Sequence, residues 1–139
     1  MNTDEVMDFI KKHEGYRRSI YVDTVGVPTG GYGHAFLRDS RLPHHIWETI
    51  FWNDYYNVLQ DYEKLDLTLD TVRKAVILDM LFNLGLTKLK RFRNLLAAIK
   101  REDWKAAKKS MLSSKWARQV KRRAVEDAEM MLTGKYKEE

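Results

Sequence analysis

Residues 12–36, KHEGYRRSIYVDTVGVPTGGYGHAF, interrupt a chain that is otherwise patterned for helices. Ile20, Tyr21 and Val22 are β-favouring side chains in succession, and Gly26, Pro28, Gly30, Gly31 and Gly33 punctuate the stretch between Thr24 and His34. β-branched and aromatic residues suit a pleated surface, and closely spaced Gly and Pro permit tight reversals, so the pattern predicts a small antiparallel meander. Five of the seven glycines lie between Gly15 and Gly33, a concentration that points to a tight hairpin or a site.

On both sides the period changes to that of a helix. Upstream, Val6, Phe9 and Ile10 recur at helical spacing behind Thr3, an N-cap candidate, which predicts a helix over residues 3–13 stopped by Gly15. Glu14 then sits at its C-terminal end. Downstream, Ile46, Trp47, Ile50, Phe51, Tyr55, Val58, Leu59 and Tyr62 predict one long amphipathic helix over about residues 44–65. Thr68 or Asp70 caps a more apolar run, Val72, Ala75, Val76, Met80 and Leu84, which Gly85 closes and which is the expected central core helix. Further helices are predicted at about 89–99, 102–112 and 119–132, the last ended by Gly134. The expected class is α+β, a single domain over 1–139. Within it, residues 14–42 form a small β-containing lobe, residues 43–65 a connecting helix, and residues 66–139 with the N-terminal helix 3–13 a larger helical lobe. A cleft between such lobes is where a ligand is expected.

Composition narrows the function classes. The 139 residues are 44% hydrophobic and 32% charged, which is globular rather than disordered, and no apolar run is long enough to span a bilayer. There is no cysteine, which excludes disulfides and thiolate chemistry. The net charge of +5 and the pI near 9.4 imply an acidic partner: nucleic acid, anionic lipid or an anionic wall polymer. Across residues 88–123 the only acids are Glu102 and Asp103, so the second half carries the positive field. The acidic start, Met1 to Glu5, lacks the basic and apolar regions of a signal peptide, so synthesis in the cytoplasm is expected.

Two acids stand out for chemistry. Hydrolysis of a glycosidic bond needs one group to protonate the leaving oxygen and a second carboxylate to direct water or attack the sugar. Glu14 at a helix C-terminus feels the negative end of the helix dipole, and partial burial would act in the same direction, both favouring the protonated acid. Asp23, in a polar turn with access to water and backbone donors, is favoured as the carboxylate. A Glu and an Asp nine positions apart are by themselves a weak signal, since most acids are solvated surface groups.

The neighbourhood of these acids is more specific. IKKHEGYR (10–17), IYVDT (20–24) and PTGGYGH (28–34) closely resemble the signature of bacteriophage T4-type lysozymes, in which Glu-Gly, Tyr-x-Asp and Thr-x-Gly-x-Gly-His follow in this order. LDTVRKA (69–75), FNLG (82–85), WKAA (104–107), SKW (114–116) and TG (133–134) are similar to that family's helical lobe, again in order. The stretch between His34 and the long helix is shorter than in the best-known member, so a small helix beside the cleft is expected to be missing. The resemblance implies an inverting muramidase that cuts the β-1,4 bond between N-acetylmuramic acid and N-acetylglucosamine and lyses bacteria. Glu14 would be the general acid, Asp23 the residue that orients and activates water, and Thr29 a second water ligand. Inversion implies carboxyl groups roughly 6.5–9.5 Å apart. Gly30, Tyr32, Asn83 and Arg123 would contact substrate, with Arg123 approaching Glu14, where its charge would oppose the upward push on the Glu14 pKa. His34 would form a structural ion pair with Asp54.

Each assignment has a plainer counterpart. Thr29 is also a good strand residue, Asn83 an ordinary helix residue, and Arg123 a solvated charge. His34 lacks the paired spacing of a metal site, and no cofactor or metal is expected. The glycine run lacks the Lys-Ser/Thr and the helix start of a phosphate-binding loop. The tryptophans and other aromatic residues at helical spacing are expected in the core rather than as sugar platforms. Two other functions compete. A lytic transglycosylase also uses a Glu acid but needs no water-directing carboxylate, and a non-enzymatic basic module would bind nucleic acid or an anionic surface with Glu14 incidental. No recognition element for nucleic acid is evident. The expected partner is therefore cell-wall peptidoglycan, with no nucleic acid, no stable membrane insertion and a monomeric chain. The wall would be reached through a separate pore or from a virion.

Overall fold

In the computed structural model, which describes residues 1–136, the chain opens with helix α1 (Thr3–Glu14). Its N-cap is Asn2, one residue before the expected Thr3. The Asn2 carboxamide accepts from the Glu5 amide at 2.9 Å, and the Glu5 carboxylate accepts from the Asn2 amide at 3.3 Å. This reciprocal box satisfies two otherwise orphaned donors, which Thr3 as cap would not achieve with Val6 at the third helical position. The Gly15 amide donates to the Lys11 carbonyl at 2.9 Å and ends the helix, leaving Glu14 as its last residue.

Strands β1 (Arg17–Val22), β2 (Pro28–Gly31) and β3 (His34–Ala35) form the expected antiparallel meander in the order β1-β2-β3. The register sets Tyr21 opposite Thr29, Thr29 opposite Ala35 and Gly30 opposite His34, with an irregularity between Arg17 and Tyr21. These elements belong to a first unit, Met1–His44; the later helices build a second, His45–Glu139.

The second unit contains α2 (His44–Glu63), α3 (Thr71–Leu84), α4 (Leu86–Lys90), α5 (Arg93–Lys100), α6 (Trp104–Leu112), α7 (Lys115–Val120) and α8 (Arg122–Thr133). α3 supplies Val76, Ile77, Met80 and Leu81 to a core completed by Leu89, Leu95, Met111, Trp116 and Met131. α8 packs on α3 and α6, and α6 on α5, with Ala107, Ala124 and Ala128 buried and small enough to let helices approach closely. Each fully buried Leu, Ile or Met side chain here stabilises the unit by about 1.5–3 kcal/mol.

The structure differs from the periodicity at three places. α4 and α7, single short helices of 5 and 6 residues, have too few positions to show a period. The run expected over residues 119–132 is broken at Lys121, whose φ of 50° and ψ of −108° lie outside helical space without a Gly or Pro to announce it. α2 buries only Val58 and Tyr62, so the expectation that the aromatic residues fill the core holds for Trp116 and fails for Trp47 and Trp52, which are 52% and 64% exposed. Only the C-terminal half of α2 contributes to the helical core.

Arg73 ties α3 to the end of α8. Its Nε and Nη2 donate to the carbonyl oxygens of Met131 and Leu132 at 2.7 and 2.9 Å, and its guanidinium lies 3.9 Å from the Trp104 ring centroid. Nη1 donates to Asp70, the N-cap of α3. Burial raises the Asp70 pKa, but the hydrogen bonds and charge of Arg73 outweigh it and hold the carboxyl below its usual range. Helix-end carbonyls left without a donor are costly, so Arg73→Met should lower stability by about 2–4 kcal/mol in denaturant unfolding. Arg73→Lys should recover little of it, because an ammonium cannot serve both carbonyls and stack on the ring. Full stability in Arg73→Met would mean that water replaces the guanidinium.

Candidate active site

α1 and the meander position the candidate catalytic groups of the first unit. Glu14, the final residue of α1, is exposed within this arrangement, and its carboxylate lies directly over Gly33. Gly33 has φ +75°, which favours glycine, and a Cβ built there would come within 2.6 Å of Glu14 Oε2, so any larger residue displaces the Glu14 carboxylate. The sequence marked Gly33 only as a turn residue. Its contact with Glu14 spans 19 positions, and no local spacing encodes it.

Asp23 follows β1 and organises the turn into β2. Its Oδ1 accepts from the amides of Val25 and Val27 at 2.9 and 2.8 Å, while its own amide donates to the Val27 carbonyl at 2.9 Å. Asp is suited to this because its short carboxylate folds back onto amides two and four residues on. The turn occupies one oxygen, so Oδ2 is the one left for chemistry. Thr29 is only 5% exposed on β2, and its hydroxyl donates to the Val27 carbonyl at 2.9 Å. With its proton committed, the Thr29 oxygen is an acceptor for any water beside it.

The other candidates of the first unit lie nearby on the sheet. Gly30 is buried, with Ile20 and Phe36 at ordinary contact distance from where a Cβ would be. Tyr32 is exposed, its ring 4.9 Å from that of Tyr16 and 5.2 Å from Lys11 Nζ. His34 meets the Phe36 ring edge-on at 4.9 Å.

In the second unit, Asp54 is an exposed residue of α2. Asn83 is exposed near the end of α3, and its Oδ1 accepts from Trp116 Nε1 at 2.9 Å, which orients the amide. Arg123 is far from a freely solvated charge: Nε and Nη2 grip the Asp79 carboxylate in a fork at 2.9 and 2.7 Å. That bond raises the Arg123 pKa against the opposing effect of burial. Sequence reasoning missed Asp79; the signal available was a lone acid inside the apolar run of α3. It also missed a cavity of about 490 Å³ whose lining includes Lys88, Arg91, Arg93 and Lys115, with Trp116 and Ser114 and no acid. Among the described residues no His, Asp and Glu group of three or more could hold a metal ion, and no helix is long and apolar enough to cross a membrane.

A phage lysozyme family profile matches residues 11–126, a span that includes the end of α1, the glycine-rich meander and the helices up to α8. The chain belongs to the phage lysozyme family. It is 24% identical to the probable T4-type lysozyme 1 of Dictyostelium discoideum over 160 aligned positions, covering 93% of this chain and 94% of that protein. It is also 26% identical to the pre-baseplate central spike protein Gp5 of Enterobacteria phage T4 over 157 positions, 91% of this chain but 27% of the spike protein. Family membership makes this α+β protein a glycoside hydrolase of the lysozyme kind, with peptidoglycan as its substrate class.

Proposed function

We propose that this lysozyme is an inverting N-acetylmuramidase that cuts the β-1,4 bond between N-acetylmuramic acid and N-acetylglucosamine and so lyses bacteria. Asp23 carries the hydrolytic reading: its Oδ1 is held by two turn amides, which fixes the carboxylate and leaves Oδ2 to take a proton from water. Glu14 gives its proton to the leaving glycosidic oxygen as the bond to the anomeric carbon breaks. Water, its proton passing to Asp23, attacks that carbon from the opposite face, and Thr29 accepts a hydrogen bond from the same water. Gly30 and Tyr32 in the first unit, and Asn83 and Arg123 in the second, are the proposed substrate contacts. The cation-lined cavity suits the anionic parts of the wall polymer, an attraction that salt weakens.

The products test this directly. NMR of freshly cut oligosaccharide should show the new reducing end first as the α-anomer, with mass spectrometry showing one added water per cut. Anhydro-sugar ends would identify a transglycosylase instead, and a β-anomer would make Asp23 a nucleophile. Asp23→Asn preserves shape but cannot accept the proton, and it should lower kcat by about 10²–10³ while leaving KM within a few-fold.

A further inference from the structure

The second unit contains an ionisable cluster that the proposed reaction does not use. Arg123 and Asp127 lie one turn apart on α8, on the face that packs against α3, and Asp79 of α3 meets both. Besides its fork onto the Asp79 carboxylate, Arg123 donates from Nη2 to the Asp79 backbone carbonyl at 3.3 Å. A hydrogen bond between the two carboxyl groups lowers the pKa of Asp79 and raises that of Asp127. Asp127 is 6% exposed, and among the described residues its Oδ2 has no hydrogen-bond donor although it is shut off from water. Two carboxylates and one guanidinium would leave a net negative charge, part of it at a buried oxygen that no donor reaches among the described residues. A proton on Asp127 removes that charge and turns the orphaned acceptor group into a donor towards Asp79.

We propose that Asp127 is a neutral carboxylic acid that donates its proton to the Asp79 carboxylate, and that this shared-proton pair is the positioning element for Arg123 at the substrate. The substrate part rests on the proposed role of Arg123 as a sugar contact. Other charges around Asp127 agree with this arrangement. On α8 its neighbour Glu126 adds negative charge, which disfavours ionisation further, and only Arg123 acts in the opposite sense. α6, packed against α8, presents Lys108, already engaged by Glu129 at 2.8 Å. The remaining cations of α6 and α7, Lys105, Lys109, Lys115 and Arg118, are exposed. Burial first, and then the bond to Asp79 and its charge, push the Asp127 pKa up to about 8. Asp79 moves the other way: burial raises its pKa, but the bonds from Arg123 and Asp127 and the charge of Arg123 outweigh it.

An acid whose folded pKa is raised contributes stability that is complete below its unfolded value and is lost as pH rises through the folded one. The window for Asp127 therefore runs from about pH 4, the ordinary carboxylate range, to about pH 8. Asp127→Asn, which mimics the neutral acid, should leave Tm unchanged near pH 4, raise it progressively over that window, and give a constant difference above it.

Two measurements on the wild-type chain need no variant. In ¹³C NMR of labelled aspartate, one carboxyl should titrate near pH 8, and the Arg123 Nε signal should shift with it. An Asp127 carboxyl that titrates in the ordinary acid range overturns the proposal, as does an Arg123 signal that ignores the titration. KM for peptidoglycan should rise across the same alkaline step with kcat little changed, and Asp127→Asn should abolish that rise. If the NMR behaves as expected while KM stays flat, the shared proton and the hold on Arg123 stand, and the assignment of Arg123 as a substrate contact falls.

Discussion

Glu14→Gln should lower the rate of peptidoglycan hydrolysis by about 10³, with binding to walls retained and stability little changed. The amide keeps the size of the carboxyl and can still donate a hydrogen bond to the glycosidic oxygen, but it cannot transfer a proton when the bond to the anomeric carbon breaks. The leaving alkoxide then departs unprotonated, and the loss falls on kcat because it is felt only in the transition state. Glu14 is the exposed last residue of α1, so no buried network collapses with the substitution. A reducing-end assay reads hydrolysis, and co-sedimentation with the same walls reads binding. A fully active Glu14→Gln variant would end the assignment of Glu14 as the acid and with it the mechanism.

The second large effect is expected at a residue with no reactive group. Gly33→Ala places a methyl 2.6 Å from Glu14 Oε2. The end of a flexible side chain can move aside cheaply, so stability should fall by only about 1–2 kcal/mol, the cost of a positive φ in an L-residue. Activity should fall far more, by about 10²-fold, because a displacement near 1 Å takes the proton donor away from the glycosidic oxygen. Gly31→Ala is the control. Gly31 also has a positive φ, +59°, but a Cβ there meets nothing within 4 Å. The two variants should unfold at similar denaturant concentrations while only Gly33→Ala loses hydrolysis. Equal activity losses would show that strain in the meander, rather than contact with Glu14, is responsible.

These variants mark the difference between what a linear pattern encodes and what it does not. α1, the meander, α3 and α6 were legible because each is set by interactions within a few residues. They rest on apolar periodicity, on caps such as Asp70 with the Arg73 amide, and on Gly and Pro at reversals. The one-residue error at the start of α1 is of the same local kind, since Asn2 and Glu5 were both in view. α7 and the break at Lys121 were not legible, because α7 is too short to show a period and no Gly or Pro marks the positive φ at Lys121. The exposure of Trp47 and Trp52 was hidden for a related reason: helical spacing of apolar residues shows that a helix has an apolar face, but not how much of its length finds a partner.

The candidate site divides in the same way. Glu14, Asp23 and Thr29 were proposed from their order and neighbours, and the turn that fixes Asp23 is local, closed by amides two and four residues away. What the sequence by itself determined was therefore the α+β class, the main elements α1, the meander, α3 and α6, and membership of a family; it also nominated Glu14 and Asp23 as the candidate acid pair. Tertiary structure alone decided that Glu14 rests on Gly33, that Arg123 is bound by Asp79 with Asp127 buried beside it, and that Lys88, Arg91, Arg93 and Lys115 line one cavity. Those contacts join residues 19 to 48 positions apart in the first two cases and bring α4, α5 and α7 together in the third. Their energies depend on burial and on which charges face one another after packing, and neither quantity exists until the helices have met.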